Sequence, residues 1–405
     1  MKVLFIQEAK YLEYNNNLYS TRISYRTYWD RYLEYFESVT ILARVKPIII
    51  IPKDFIISTG SKVNYIPIKY YEGPIDFLKN IFIIEKQIKV AVKSDYVYIL
   101  RVPSHIGILV YRELKNRKLN FVVEVVGDPY EVGQHLSLIL PFRILYSFWM
   151  LNNMRSIVKN SVAVLYVTKF KLQRRYPSNK NAIQANASNV IIPDSFLISI
   201  EDVKFKNIST ISSRLKTNND KKIRLGVIGM LYSIKSPIEI VKAVNILLKK
   251  GLNIELIFVG DGPLLGTIKD LSTKYDISEN IHCLGSLPSG ASIFSFIDSL
   301  DIYIQFSKTE GLPRAMLEAM TRGCTVISSN VGGIGELLPN DMLIESRDIK
   351  ALANKISWIL NNPKRMKNTT LENINISKEY LASSLSEKRS VFFDKVNKLF
   401  IEKSN

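Results

Sequence analysis

IYIQFSKTEGLPRAMLEAMTRGCTVISSNVGGIGELL, residues 302–338, is the stretch on which the reading of this chain turns. Its opening run, Ile302 to Phe306, has the β-branched and aromatic texture of a buried strand. A short polar loop then holds Glu310 and Gly311. Pro313 stands where a first helical residue tolerates a missing N–H and prefers a fixed φ. The apolar spacing that follows predicts a helix over 313–322, stopped at Gly323, which suits the left-handed position after a helix. A second strand, Thr325 to Ser328, comes next. The amides of Leu312, Arg314 and Ala315 then lie unpaired at the positive end of a helix, which is an anion site.

The same alternation continues on both sides. In the second half it predicts strands at Arg224–Gly229, Ile254–Gly260 and Asn280–Leu284 and helices at Pro237–Lys250, Leu264–Tyr275 and Gly290–Ser299. In the first half, compact runs at Val3–Gln7, Val39–Ala43, Tyr96–Leu100, Phe121–Val126 and Val162–Val167 are separated by helix-length segments. This is the pattern of α/β proteins, here two doubly wound domains in series, whose ligands bind at the carboxyl ends of the strands. The polar stretch between Pro193 and Lys222 reads as the junction. The expected division is therefore a domain over 1–195, a linker over 196–222, a second domain over 223–376, and a terminal helix within 377–405 that packs back toward the first domain.

Composition narrows the classes. The chain has 405 residues, 47% of them hydrophobic and 23% charged, as a folded globular protein does. Two cysteines and three histidines supply neither a disulfide framework nor a zinc site, so no metal is expected. The start, MKVLFIQ, lacks the apolar run of a signal peptide, and Arg143, Asn152, Asn153 and Arg155 interrupt the most apolar window, so a cytoplasmic chain without a membrane span is expected. The net charge is +18, of which +12 falls in residues 1–195. Such a surface attracts nucleic acid, anionic lipid or phosphorylated small molecules alike, and ordinary solvated lysines account for it equally well. No nucleic-acid motif accompanies it.

Glu310 and Glu318 flank the helix start. Carboxylates suit sugar hydroxyls rather than phosphate, and a diphosphate with a sugar at each end would use both; alternatively Glu310 is a loop residue and Glu318 a helix-surface charge. The run EGLPRAMLE, Glu310 to Glu318, resembles the Glu-x7-Glu motif of the family-four retaining glycosyltransferases, the glycosyl transferases group 1 of bacterial polysaccharide type, and NVGGIGELL is similar to the segment that follows it there. The resemblance implies a GT-B fold, two Rossmann-like domains facing across a cleft. It also implies transfer of a sugar from a nucleotide-diphosphate sugar, a co-substrate rather than a cofactor, to a sugar or lipid-linked glycan acceptor.

By that resemblance Glu310 contacts the donor sugar, Glu318 the ribose, and the loop at Gly311, Leu312 and Pro313 approaches sugar and phosphate, with Arg314 a further cation. GMLYSIK, Gly229 to Lys235, matches the family's diphosphate-binding Gly and Lys, with Met230 where a second cation is common. Gly260 and Gly262 of GDGP resemble the turn near the nucleotide, and Leu284 lies where relatives set backbone against the base. The first domain matches less well: its first loop, EAKYLEYNNNLYSTR, has no Gly pair, and Gly127-Asp128-Pro129 stands where many relatives carry His. Asp128 is the nominee nearest the acceptor nucleophile, or else a turn former. Arg101 either meets a phosphate or pairs with an acid such as Glu124. His105 and His135 are less favoured, since neither sits at a strand end.

Pro141 to Asn160 mixes aromatics with Arg143, Arg155 and Lys159 and reads as a helix in an anionic membrane interface, on the inner face of the cytoplasmic membrane, or as one with a core side and a solvated side. Rival functions are a nucleotide-sugar epimerase, a phosphorylase, or an inactive scaffold binding nucleotide or lipid. A Rossmann dehydrogenase lacks its GxGxxG.

Overall fold

A computed structural model of the chain describes residues 1–21, 23–133, 140–190, 192–199 and 222–402. It divides into two compact units, Met1–Asn189 with Ser386–Asn405, and Val190–Leu385. Most of the segment read as a linker, residues 200–221, lies outside the described residues, as does His135. Of its remainder, Phe196 stacks on Phe294 at 4.2 Å and the Ile198 amide donates to the Thr321 carbonyl, so 196–199 pack on unit 2.

Among the described residues, unit 1 holds nine strands: β1 (Lys2–Tyr14), β2 (Asn17–Ser20), β3 (Ser38–Pro47), β4 (Ile56–Ile57), β5 (Val63–Lys69), β6 (Tyr96–Val102), β7 (Phe121–Val125), β8 (Ala163–Tyr166) and β9 (Ile183–Asn186). Seven run parallel in the order β5-β3-β1-β6-β7-β8-β9, so the order reverses between β1 and β6. The segment read as a loop after the first strand is a correction. Past an irregularity between Ile6 and Lys10, β1 continues to Tyr14, turns through Asn15 and Asn16 in the left-handed region that Asn tolerates, and returns as β2. The core lies between sheet and helices, where Leu4, Ile6, Leu100, Val123 and Val164 are fully buried. The terminal helix Ala382–Glu402 joins this unit from Ser386 onward, with Phe393 packed against Tyr35 and Phe36.

Among the described residues, unit 2 has six parallel strands: β10 (Ile223–Ile228), β11 (Ile254–Val259), β12 (Ile281–Cys283), β13 (Ile302–Gln305), β14 (Thr325–Ser329) and β15 (Leu343–Ile344). Their order is β12-β11-β10-β13-β14-β15, reversing between β10 and β13. Five of them, β10 to β14, fall within a residue of the positions the apolar runs mark, and β15 is one they do not mark. β10, β11, β13 and β14 are buried for most of their length, as strands of a parallel sheet are, whereas β12 is half-buried.

Candidate functional site

In a doubly wound sheet the loops leaving the two strands at the reversal diverge to opposite faces and leave a crevice between them. In unit 2 those loops follow β10 and β13, and they carry Gly229–Lys235 and Phe306–Pro313. Lys235 closes a 3-10 turn, Ser233–Lys235, and its Nζ donates to Glu310 Oε1. Gln305 Nε2 donates to the same oxygen at 2.9 Å and Ser307 Oγ at 2.7 Å. Tyr303 Oη in turn holds Gln305 Oε1 at 2.7 Å, so the acid is fixed by a chain of donors rooted in the buried strand. Among the described residues all three donors converge on Oε1, which leaves Oε2 open to a ligand hydroxyl.

The Glu310 loop is clamped from the other side by the segment that follows β14. Gly333 N–H donates to the Gly311 carbonyl at 2.8 Å. Gly332 sits at φ +56°, and a Cβ there would lie 1.6 Å from the Glu310 carbonyl oxygen, so only glycine permits this approach. The turn holding Gly260 and Gly262 backs the Gly229 loop in the same way: a Cβ on Gly260 would lie 2.0 Å from the Gly229 carbonyl oxygen. Leu284 donates its amide to Phe258 and leaves its side chain half exposed.

The helix after Glu310 spans Arg314–Thr321, with the extended Pro313 just before it rather than inside it as expected. Leu312 packs partly against the core. Glu318 is not a surface charge: it is 5% exposed, and burial pushes its carboxyl above the ordinary range against the pull of Arg314. Arg314 Nε donates to Glu318 Oε1 at 2.8 Å, so this exposed cation is partnered along the helix rather than aimed at the Glu310 loop.

The unit 1 nominees are not brought together with each other. Asp128 accepts from Tyr176 Oη at 2.6 Å and from the Tyr130 amide at 2.9 Å, and pairs with Arg175 at 3.0 Å, which makes it a buried turn former rather than a ready base. Arg101 pairs with Glu124 at 3.1 Å. At the reversal between β1 and β6 stands a residue that sequence reasoning passed over. Glu8 accepts from the amides of His105 (2.9 Å) and Ile106 (3.4 Å) and from Ser104 Oγ (2.9 Å), at the start of the helix His105–Asn116. Burial would raise the Glu8 carboxyl, but His105, Arg44 and Tyr71 together bring it down to about 2. His105 Nε2 meets Tyr146 Oη at 2.8 Å, at the floor of an apolar groove of about 290 Å³ that also touches Leu78, Phe142, Leu145 and Trp149.

That groove joins two helices with an unusual exposed face. Gly73–Ala91 exposes Ile75, Leu78, Phe82 and Ile83 over its first turns, and Leu140–Asn160 exposes Ile144, Leu145, Phe148 and Trp149. Further along, Lys86, Lys89 and Val90 are exposed on the first helix and Arg155 and Lys159 on the second, while Lys79 is exposed among the apolar residues of the first. No described helix is long and apolar enough to cross a membrane.

Two doubly wound units with this strand order make a GT-B fold, and a solved structure of Anabaena HepE in complex with UDP and glucose aligns over 99% of both chains with a TM-score of 0.61 at 14% identity. Residues 209–374 match the family model described as Glycosyl transferases group 1. Protein CapJ of Staphylococcus aureus is 30% identical over 94% of each chain. An Escherichia coli UDP-Gal:alpha-D-GlcNAc-diphosphoundecaprenol alpha-1,3-galactosyltransferase is 29% identical over 32% of this chain and 34% of its own. The chain belongs to the group 1 glycosyltransferases and is an enzyme of that class.

Proposed function

We propose that this enzyme transfers a sugar, with retention at the anomeric carbon, from a nucleotide-diphosphate sugar held in unit 2 to a lipid-linked glycan in bacterial cell-surface polysaccharide synthesis. The observation that carries the reading is the meeting of Lys235 and Glu310 at the carboxyl ends of β10 and β13, one cation and one acid with an open oxygen. In this reading Lys235 swings from Glu310 to the donor diphosphate, where it balances the charge that grows as the C1–O bond breaks. Glu310 accepts from donor hydroxyls through Oε2, and Glu318, released from Arg314, accepts from the ribose. The acceptor oxygen bonds to C1 on the face the diphosphate leaves, and its proton passes to a departing phosphate oxygen. No metal enters this scheme. Asp128 is left out of it, because its own ion pair occupies it.

The lipid-linked acceptor is supported by the acceptor named for the Escherichia coli relative. It is also supported by the exposed apolar faces of the two unit 1 helices, which carry exposed lysines and arginines beside them as a surface meeting an anionic bilayer would. A screen of UDP and GDP sugars for thermal stabilisation identifies the donor, since a ligand binding only the folded state raises its stability. Incubation of the hit with diphosphate-linked lipid sugars, with and without a chelator, then yields a lipid-bound product whose anomeric configuration equals the donor's. Consumption of donor without any acceptor, or an inverted product, overturns the reading.

A further inference from the structure

Unit 1 gathers three guanidinium groups beside the carboxyl ends of β6 and β7. Arg101, near the end of β6, reaches Glu124 at 3.1 Å and Asn189 at 3.5 Å. Arg31 reaches the same Asn189 at 3.3 Å and stacks over Tyr28 at 4.3 Å and Tyr32 at 5.0 Å. Arg389, brought in by the terminal helix, is 7% exposed and donates to the Ser188 carbonyl. Among the described residues, one carboxylate, Glu124, stands against these three cations, and it already accepts from Tyr32 Oη at 2.8 and 3.0 Å.

Such an excess is costly. Buried like charges repel in a medium that screens them poorly, and a buried N–H without an acceptor forfeits its hydration. Arg31 Nε and Nη2 are buried atoms with no hydrogen-bond partner among the described residues. Burial and the neighbouring Arg31 draw the Arg389 guanidinium down to about 10, still a cation at neutral pH. The aromatic faces of Tyr28 and Tyr32 hold Arg31 in place but accept none of its N–H groups in the plane of the guanidinium. Arg31, Arg101, Tyr28 and Asn189 are each only partly buried, so the cluster lies near the surface. Planar donors, two of whose N–H groups on Arg31 are unpartnered among the described residues, and surplus positive charge suit the fork geometry of a phosphate oxyanion.

We propose that Arg31, Arg101 and Arg389 form a second anion site, in unit 1, which takes the phosphate or diphosphate ester of the acceptor. This rests on the acceptor reading given above. It gives the terminal helix a task, since Arg389 reaches the cluster only because that helix packs on unit 1.

The test is calorimetric titration of the whole enzyme with inorganic diphosphate in phosphate-free buffer, with the nucleoside diphosphate of the identified donor, UDP or GDP, saturating so that donor-side binding is blocked. Wild type binds; Arg31→Gln binds at least tenfold more weakly, Arg31→Lys falls between, and nucleotide affinity is the same in all three. Ligand-free Arg31→Gln melts no lower than wild type, because it loses an uncompensated charge rather than a salt bridge. Wild-type diphosphate affinity in Arg31→Gln, or no diphosphate binding by the nucleotide-bound wild type, overturns the site. Farnesyl diphosphate in place of inorganic diphosphate assigns the source: tighter binding names a lipid-linked acceptor and equal binding a soluble phosphate ester, each supporting the site. Sugar transfer is assayed separately, so its failure is seen independently of the anion site's.

Discussion

At the strand reversal of unit 2 the crevice is kept open, whereas at the corresponding place in unit 1 it is plugged. In unit 2 the loops after β10 and β13 bring a lysine to a glutamate whose second oxygen is unengaged. In unit 1 the helix His105–Asn116 begins beside β1 much as a phosphate-binding helix would, but Glu8 fills its amide cluster from within the chain. A helix N-terminus favours negative charge from any source, and a carboxylate already in place competes with an incoming phosphate. The topology therefore supplies two crevices, and side chains decide which is available. An anionic ligand of unit 1 is left with the arginine cluster beside the reversal rather than the helix end at it.

The comparison breaks most readily at unit 2. Lys235→Ala is expected to lower turnover by about 10²–10³-fold, the range seen when one preorganised donor to a developing charge is removed, with donor affinity changed far less. Steady-state kinetics with the identified donor measures both, and unchanged turnover ends the assignment of the crevice. Gly332→Ala is next. With no room for a Cβ against the Glu310 carbonyl, the loop must move, and backbone strain of about 1–3 kcal/mol is expected as a lower melting temperature together with reduced turnover. Gly266→Ala, where nothing lies within 4 Å of the new carbon, serves as the control. Glu318→Ala is smaller still, a roughly tenfold loss of nucleotide affinity, equivalent to about 1.4 kcal/mol, read by titration with UDP or GDP. Because burial raises the Glu318 carboxyl, nucleotide affinity falls on acidification at a pH above the ordinary carboxylate range, and Glu318→Gln abolishes that dependence.

These predictions fall where the chain was legible. In unit 2 the strands β10, β11 and β13 are mostly apolar runs, and Glu310, Glu318 and Lys235 sit in a pattern of fixed local spacing, so reading along the chain finds them. Unit 1 hides its chemistry in two ways. The irregularity between Ile6 and Lys10 breaks the period of two, which turned the far half of β1 into an expected loop. Its key contacts also join residues distant in sequence: Glu8 reaches His105, and Arg389 reaches Ser188 near Arg31 and Arg101. No local spacing announces such pairs. Asp128 illustrates the converse, since its place at a strand end marked it for chemistry while Arg175 and Tyr176, far along the chain, had already engaged it.

The smallest effect on turnover is expected at Glu8, and it sharpens the contrast between the units. Its carboxyl lies at about 2 when folded against an ordinary 4.5, so it favours the folded state at neutral pH. That contribution is complete above about 4.5 and is lost as pH falls toward about 2. Glu8→Gln therefore unfolds at lower urea than wild type at neutral pH, and the gap between the two midpoints narrows as the pH falls through that window. A gap that stays constant with pH means the carboxylate is not the plug. If the neutral amide instead opens the helix end, inorganic diphosphate binds the Glu8→Gln variant at an additional place that survives Arg31→Gln, and unit 1 then acquires the kind of open crevice that unit 2 already has.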